Sequence, residues 1–96
     1  MKQEAFPFPS ETEEAVIDAI LYEVKNELFR ALRLYTRSNS LHGAHSILRE
    51  EFEELWDEVK KKAPNKARVT EEAVQTAAMA VRLILEHGDI EHVCNT

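Results

Sequence analysis

Apolar residues recur at three- and four-residue spacings over most of the chain, and strand-like alternation is absent. From position 16 onward, Val16, Ile17, Ile20, Leu21, Val24, Leu28, Phe29 and Leu32 keep this spacing, which predicts an amphipathic helix over residues 10–36. Ser10 followed by Glu13 forms a capping-box pattern at its start, and Arg30, Arg33 and Arg37 suit its negative end. Such a helix is about 40 Å long at ~1.5 Å per residue. Residues 38–43, SNSLHG, are small and polar, and predict a turn with a serine or asparagine cap. Leu48, Phe52, Leu55 and Val59 then form one stripe, with Ala44 and Trp56 on its flanks, in a second helix over 41–62. Asp57 with Lys61 and Glu58 with Lys62 are i,i+4 pairs on it.

Pro64 and Asn65 break the pattern. A third helix follows over 66–88, with Asn65 and Thr70 competing as its cap. Past Thr76 it is apolar on nearly every side: Ala77, Ala78, Met79, Ala80, Val81, Leu83, Ile84 and Leu85. That marks it as the central, buried helix, shared with a partner subunit. His87 and Gly88 suit its last turn and its C′ position. Residues 1–9, with Phe6-Pro7-Phe8-Pro9, predict an extended arm, and 89–96 a tail. The expected fold is all-α: a single domain of three helices forming an oligomeric bundle.

Composition narrows the partners. A chain of 96 residues makes a thin core, which favours self-association. The net charge of −6 disfavours nucleic acid and anionic membranes. No apolar run is long enough to span a bilayer, residues 1–10 lack a signal-peptide core, and the single Cys94 fits a reducing cytoplasm.

The candidate chemistry lies in the second helix, where Glu50, Glu51, Glu53, Glu54, Asp57 and Glu58 fall within nine positions. Glu51 and Glu54 border the apolar stripe at i,i+3, a spacing that lets two carboxylates reach one hard cation. Glu50 lies behind them and Glu53 faces water. Glu72 and Gln75 offer the same spacing on the third helix. Glu71 and Glu72 also suit a first helical turn, and an acid-rich helix also suits a solvated face. His42 and His45 read first as capping or hydrogen-bonding groups.

Glu50-Glu51-Phe52-Glu53-Glu54, followed by Glu72-Ala73-Val74-Gln75, resembles the EExxE and ExxD motifs of the MazG-type all-α nucleotide pyrophosphohydrolases, over roughly residues 39–86. The resemblance implies hydrolysis of a nucleoside triphosphate to monophosphate and pyrophosphate by an oligomeric bundle. It implies Mg²⁺, with Mn²⁺ an alternative, held by Glu51, Glu54, Glu72 and Gln75. Glu50 would position or deprotonate the attacking water. His42, Trp56, Lys66, Arg68 and Arg82 are candidates to contact substrate, although Trp56 also suits a helix interface. Gln75 departs from the motif, because a neutral amide stands where the family has Asp. The alternative is therefore a non-catalytic helical interaction protein that keeps the bundle without the chemistry.

Overall fold

A computed structural model describes residues 10–95, and the Phe-Pro arm expected at the start lies outside the described residues. They form four helices: α1 (Glu11–Leu34), α2 (Leu41–Val59), α3 (Lys66–His87) and α4 (Ile90–Cys94). The fold is all-α. The fourth helix falls in the stretch expected to be a tail. Its five residues are too few for a periodic signal, and Asp89 starts it by accepting from His92 N–H at 2.8 Å.

Side chains fix each start. Ser10 and Glu13 cap α1 reciprocally, with Glu13 N–H donating to Ser10 Oγ at 3.1 Å and Ser10 N–H to Glu13 Oε1 at 3.3 Å. Ser40 caps α2 through Gly43 N–H at 3.0 Å. Asn65 takes the competition at α3, accepting from Ala67 N–H at 2.9 Å and Arg68 N–H at 3.3 Å. Thr70 is then already helical, and its hydroxyl donates to Lys66 O at 2.8 Å. At the other end Gly88 caps α3 with extended backbone (φ −87°, ψ 177°), not the left-handed turn common at a C′ glycine. A Cβ there would lie 2.6 Å from Ile84 O. α2 stops at Val59, three residues short of expectation. Its acid–base pairs accordingly form at i,i+3: Glu58 with Lys61, and Asp57 with Lys60, each at 3.0 Å.

The extensive helix–helix contacts all involve α3, which packs along α2 and along α1. The core between α1 and α3 consists of Val24, Leu28, Ala31, Ala78 and Met79. Ile47 and Leu48 of α2 close over it, half-buried. The side of α2 turned inward runs through Ala44, Ile47, Leu48, Glu51, Leu55 and Glu58. This corrects the expected stripe: Phe52, Trp56 and Val59 form a second apolar row on the outside, with Phe52 60% and Trp56 57% exposed. α3 is likewise not buried all round within one chain, since Val81, Ile84 and Leu85 are exposed. The Cα radius of gyration, 15.7 Å, exceeds the ~12–13 Å of a compact domain this long.

One polar clamp closes the far end. Arg82 Nε donates to Glu86 Oε2 at 2.8 Å, with both side chains at most 5% exposed. Arg82 Nη2 donates to the carbonyls of Tyr35 and Thr36 at 3.2 and 3.0 Å. Ser38 Oγ donates to Glu86 Oε1 at 2.9 Å and lies 3.0 Å from His87 Nε2. Burial alone would raise the Glu86 carboxyl, but the Arg82 and Ser38 hydrogen bonds hold it below its ordinary value. The clamp thus ties the α1–α2 connection to α3. Removing one partner of such a pair strands a buried charge, so Arg82→Ala should lower unfolding free energy by ~3–5 kcal/mol. The paired replacement Arg82→Met with Glu86→Leu should cost less, and urea midpoints of the three proteins check both.

Candidate metal centre

Apolar packing brings three carboxylates together because α2 and α3 lie antiparallel. Ile47 meets Met79 in the core, and one to two turns along, Glu51 and Glu54 come opposite Glu72. One carboxylate oxygen from each of Glu51, Glu54 and Glu72 lies within 4.8 Å of the other two. Glu72 is buried, Glu51 half-buried and Glu54 exposed. Burial is the largest cause raising the Glu51 carboxyl, to about 7, followed by the charges of Glu54 and Glu72 and then a Glu54 hydrogen bond and the charge of Glu27. Glu72 is raised too, again by burial first and then Glu54, while Arg68 opposes the shift.

Gln75 completes the group. Oriented with its amide nitrogen toward the acids, the assignment that gives both ends compatible partners, it donates to Glu51 Oε2 and Glu72 Oε2 at 3.2 Å each. Three oxygen donors from two helices suit a hard divalent cation. Gln75 in this orientation contributes N–H donors, and turning its amide over would present a carbonyl oxygen instead. The residues therefore fit a Mg²⁺-type ion through the three carboxylates, with Gln75 a neutral fourth neighbour.

The remaining candidates divide by location. Arg68 sits against the cluster, its Nη1 2.8 Å from Glu71 and its Nη2 3.4 Å from Glu72. Glu50 is exposed and outside the triad, but with Glu51 and Gln75 it lines a cavity of about 350 Å³ between the three long helices. Arg82 lines the same cavity while remaining engaged in its clamp. Lys66, His42 and Trp56 are exposed and line neither the cavity nor the cluster. Glu53 pairs with Arg49 at 3.0 Å on the outer face.

Two charged residues of the cavity were not singled out as site residues from the sequence, Glu27 and Arg30, joined by bonds of 3.0 and 2.6 Å. The signal was present in part: Glu27 lies only about 40–60° around α1 from Ala31 and Val24, the same core-adjacent placement that marked Glu51. Arg30 carries no comparable sign, because an arginine near a helix end is explained by the dipole alone.

Compared with known protein families, curated proteins and solved structures, the chain matches none.

The raised carboxyls have a measurable consequence. The folded chain holds the Glu51 proton more tightly than the unfolded chain does. The stability this gives is present below about pH 4.5 and is lost as pH rises through about 7. Glu72 acts in the same direction, and the lowered Glu86 in the opposite one, at acid pH. In chelator-treated protein the melting temperature should fall between about pH 4.5 and 7, and Glu51→Gln should flatten that slope; calorimetry across the range measures it.

Proposed function

We propose that this protein is a divalent-cation-dependent nucleoside triphosphate pyrophosphohydrolase of the type its motifs resemble, working as a homo-oligomer. The observation that carries the reading is the set of three acids from two helices, with ligand oxygens within 4.8 Å of one another and with Glu51 and Glu72 partly desolvated. Assembling like charges costs stability unless a cation or protons neutralise them. Fold alone would not argue function; the site does.

Bound Mg²⁺ would supply charge neutralisation at the phosphates and lower the pKa of water. Glu51, Glu54 and Glu72 would hold it. The cavity beside the cluster has room for part of a nucleotide, and it shares Glu51 and Gln75 with the cluster, so a substrate lying there presents its phosphates to the acids. Glu50, on the same cavity wall, is positioned to accept a proton from water. Arg30 and Arg82 line the cavity and Arg68 borders the cluster, which offsets part of the acidic charge a polyphosphate would meet.

A second reading rests on Gln75. Its amide already bridges Glu51 and Glu72 as a neutral donor, so a non-catalytic helical interaction protein, with the acids held by hydrogen bonds and protons, is consistent with the same geometry. Self-association is common to both readings. The exposed row Phe52, Trp56 and Val59, with Val81, Ile84 and Leu85 on α3, is a large apolar surface for a chain of 11.1 kDa.

Incubation with each nucleoside triphosphate and Mg²⁺ or Mn²⁺ should release pyrophosphate. Glu51→Ala and Glu54→Ala should reduce release by more than the ~10–100-fold typical of residues one layer outside a metal. Gln75→Asp should tighten Mg²⁺ binding in calorimetry; activity that survives both alanine variants would remove the metal assignment. Light scattering should return a multiple of 11.1 kDa, and Phe52→Ser with Trp56→Ser should lower it.

A further inference from the structure

A second cavity, of about 400 Å³, opens on the seam between α1 and α3. Glu23, Asn26, Glu27, Arg30 and Arg33 give it one wall, at the three- and four-residue spacings of a single face of α1. Thr70, Glu71, Val74 and Gln75 of α3 give it the other. Glu27, Arg30 and Gln75 line both this cavity and the first. The two are therefore neighbouring chambers of one groove, with these three residues at the neck.

The acidic cluster lies at that neck. Gln75 donates to Glu51 and Glu72 at 3.2 Å each, and Glu51 lines the first chamber. The chambers differ in chemistry. Ala31, Ile47, Met79 and Tyr35 give the first an apolar and aromatic lining, whereas the second is polar except for Val74.

Two arginines distinguish the second chamber. Among the described residues Arg33 meets no carboxylate, whereas Arg30, Arg49, Arg68 and Arg82 each do. Arg30 spends its Nε and Nη2 on Glu27, which leaves others of its five N–H donors free. The chamber's carboxylates are mostly engaged: Glu27 by Arg30, and Glu71 by Arg68 at 2.8 Å. Arg33 offsets the remaining one, Glu23. The chamber is thus near neutral in a chain of net charge −6, and a divalent cation at the adjoining cluster tips it toward anions.

We infer that the second chamber is the subsite for the pyrophosphate half of the substrate, with Arg30 and Arg33 taking the β- and γ-phosphates; the orientation of the nucleotide rests on the pyrophosphohydrolase reading. The nucleoside lies over the apolar lining of the first chamber, and the α-phosphate sits at the neck beside the acids. Hydrolysis forms a bond from the water oxygen to the α-phosphorus and breaks the bond from that phosphorus to the bridging oxygen. The bridging oxygen leaves with the electron pair on pyrophosphate, while one water proton passes to Glu50 and the other stays on the monophosphate. Attack runs in line, from the side opposite the leaving group, and Glu50 lines the first chamber and not the second.

Inorganic pyrophosphate, added to the full chain with Mg²⁺, tests the subsite without turnover. In calorimetry Arg33→Ala should weaken its binding ~10–100-fold, the fold-change of one lost hydrogen bond to a charged group. The same variant should leave the affinities for Mg²⁺ alone and for a nucleoside monophosphate unchanged, and Arg33→Lys should recover part of the loss. In ¹⁵N-arginine-labelled protein, pyrophosphate should shift the Nε–Hε resonances of Arg30 and Arg33 and leave that of Arg82, held in its clamp, in place. Pyrophosphate affinity that ignores Arg33→Ala, or a nucleoside monophosphate that shifts Arg33 instead, would overturn the subsite even in an active enzyme. Pyrophosphate binding that depends on Arg33, in a chain that hydrolyses no triphosphate, would uphold the anion subsite and remove the enzymatic reading.

Discussion

α3 has to serve two partners at once, and the rest of the structure follows from that constraint. α1 packs on one side of it and α2 on another, with no comparable contact between α1 and α2 themselves. The residues α3 turns inward must therefore satisfy two neighbours with little volume. It meets them with Ala78, fully buried, and Met79 toward the apolar centre, and with Glu72, Gln75 and Arg82 where the neighbouring surfaces are polar. A core built this way is thin, which leaves much apolar surface on the outside of all three long helices.

The same constraint explains the electrostatics. At the C-terminal end of α3 a buried arginine meets a buried glutamate, backbone carbonyls and a serine, so each charge has a partner. Nearer its N-terminal end three glutamates meet one another, with Arg68 approaching Glu72 only at 3.4 Å. One end is saturated and stabilising. The other is under-neutralised, with the Glu51 and Glu72 carboxyls raised by burial first and then by neighbouring carboxylate charge. A perturbed acid on a cavity wall, as Glu51 is, is where chemistry is sought first, and Gln75 tempers the repulsion with two hydrogen bonds.

What could be read from the sequence, and what could not, divides along physical lines. The helices and their caps depend on neighbours within four residues, so Ser10 with Glu13 was legible, and so was the pairing of Glu51 with Glu54. Asn65 and Thr70 were indistinguishable because both satisfy local rules; in the structure Asn65 takes the Ala67 and Arg68 N–H groups and the helix starts there. The inward side of α2 was placed wrongly because periodicity reports apolar character without saying what covers it. Phe52, Trp56 and Val59 look like core and lie outside, while Glu51 and Glu58 look like a border and lie within. The cavity required α1 to bring Glu27 and Arg30 opposite Gln75, a tertiary fact whose only local sign was the core-adjacent place of Glu27 on α1.

The alanines give the acidic cluster its dimensions. Ala44 on α2 and Ala78 on α3 are buried with side chains of one carbon, and Ala31 does the same on α1. Helices separated by methyl groups lie close, and the carboxylates a turn or two away inherit that separation. The geometry of Glu51, Glu54 and Glu72 is therefore gauged by residues that carry no charge and touch no ligand. A single added methylene at Ala44, which lies beside Met79, Arg82 and Leu83 of α3, would act as a shim, easing the part of the Glu51 and Glu72 shifts that comes from neighbouring charge without altering either residue.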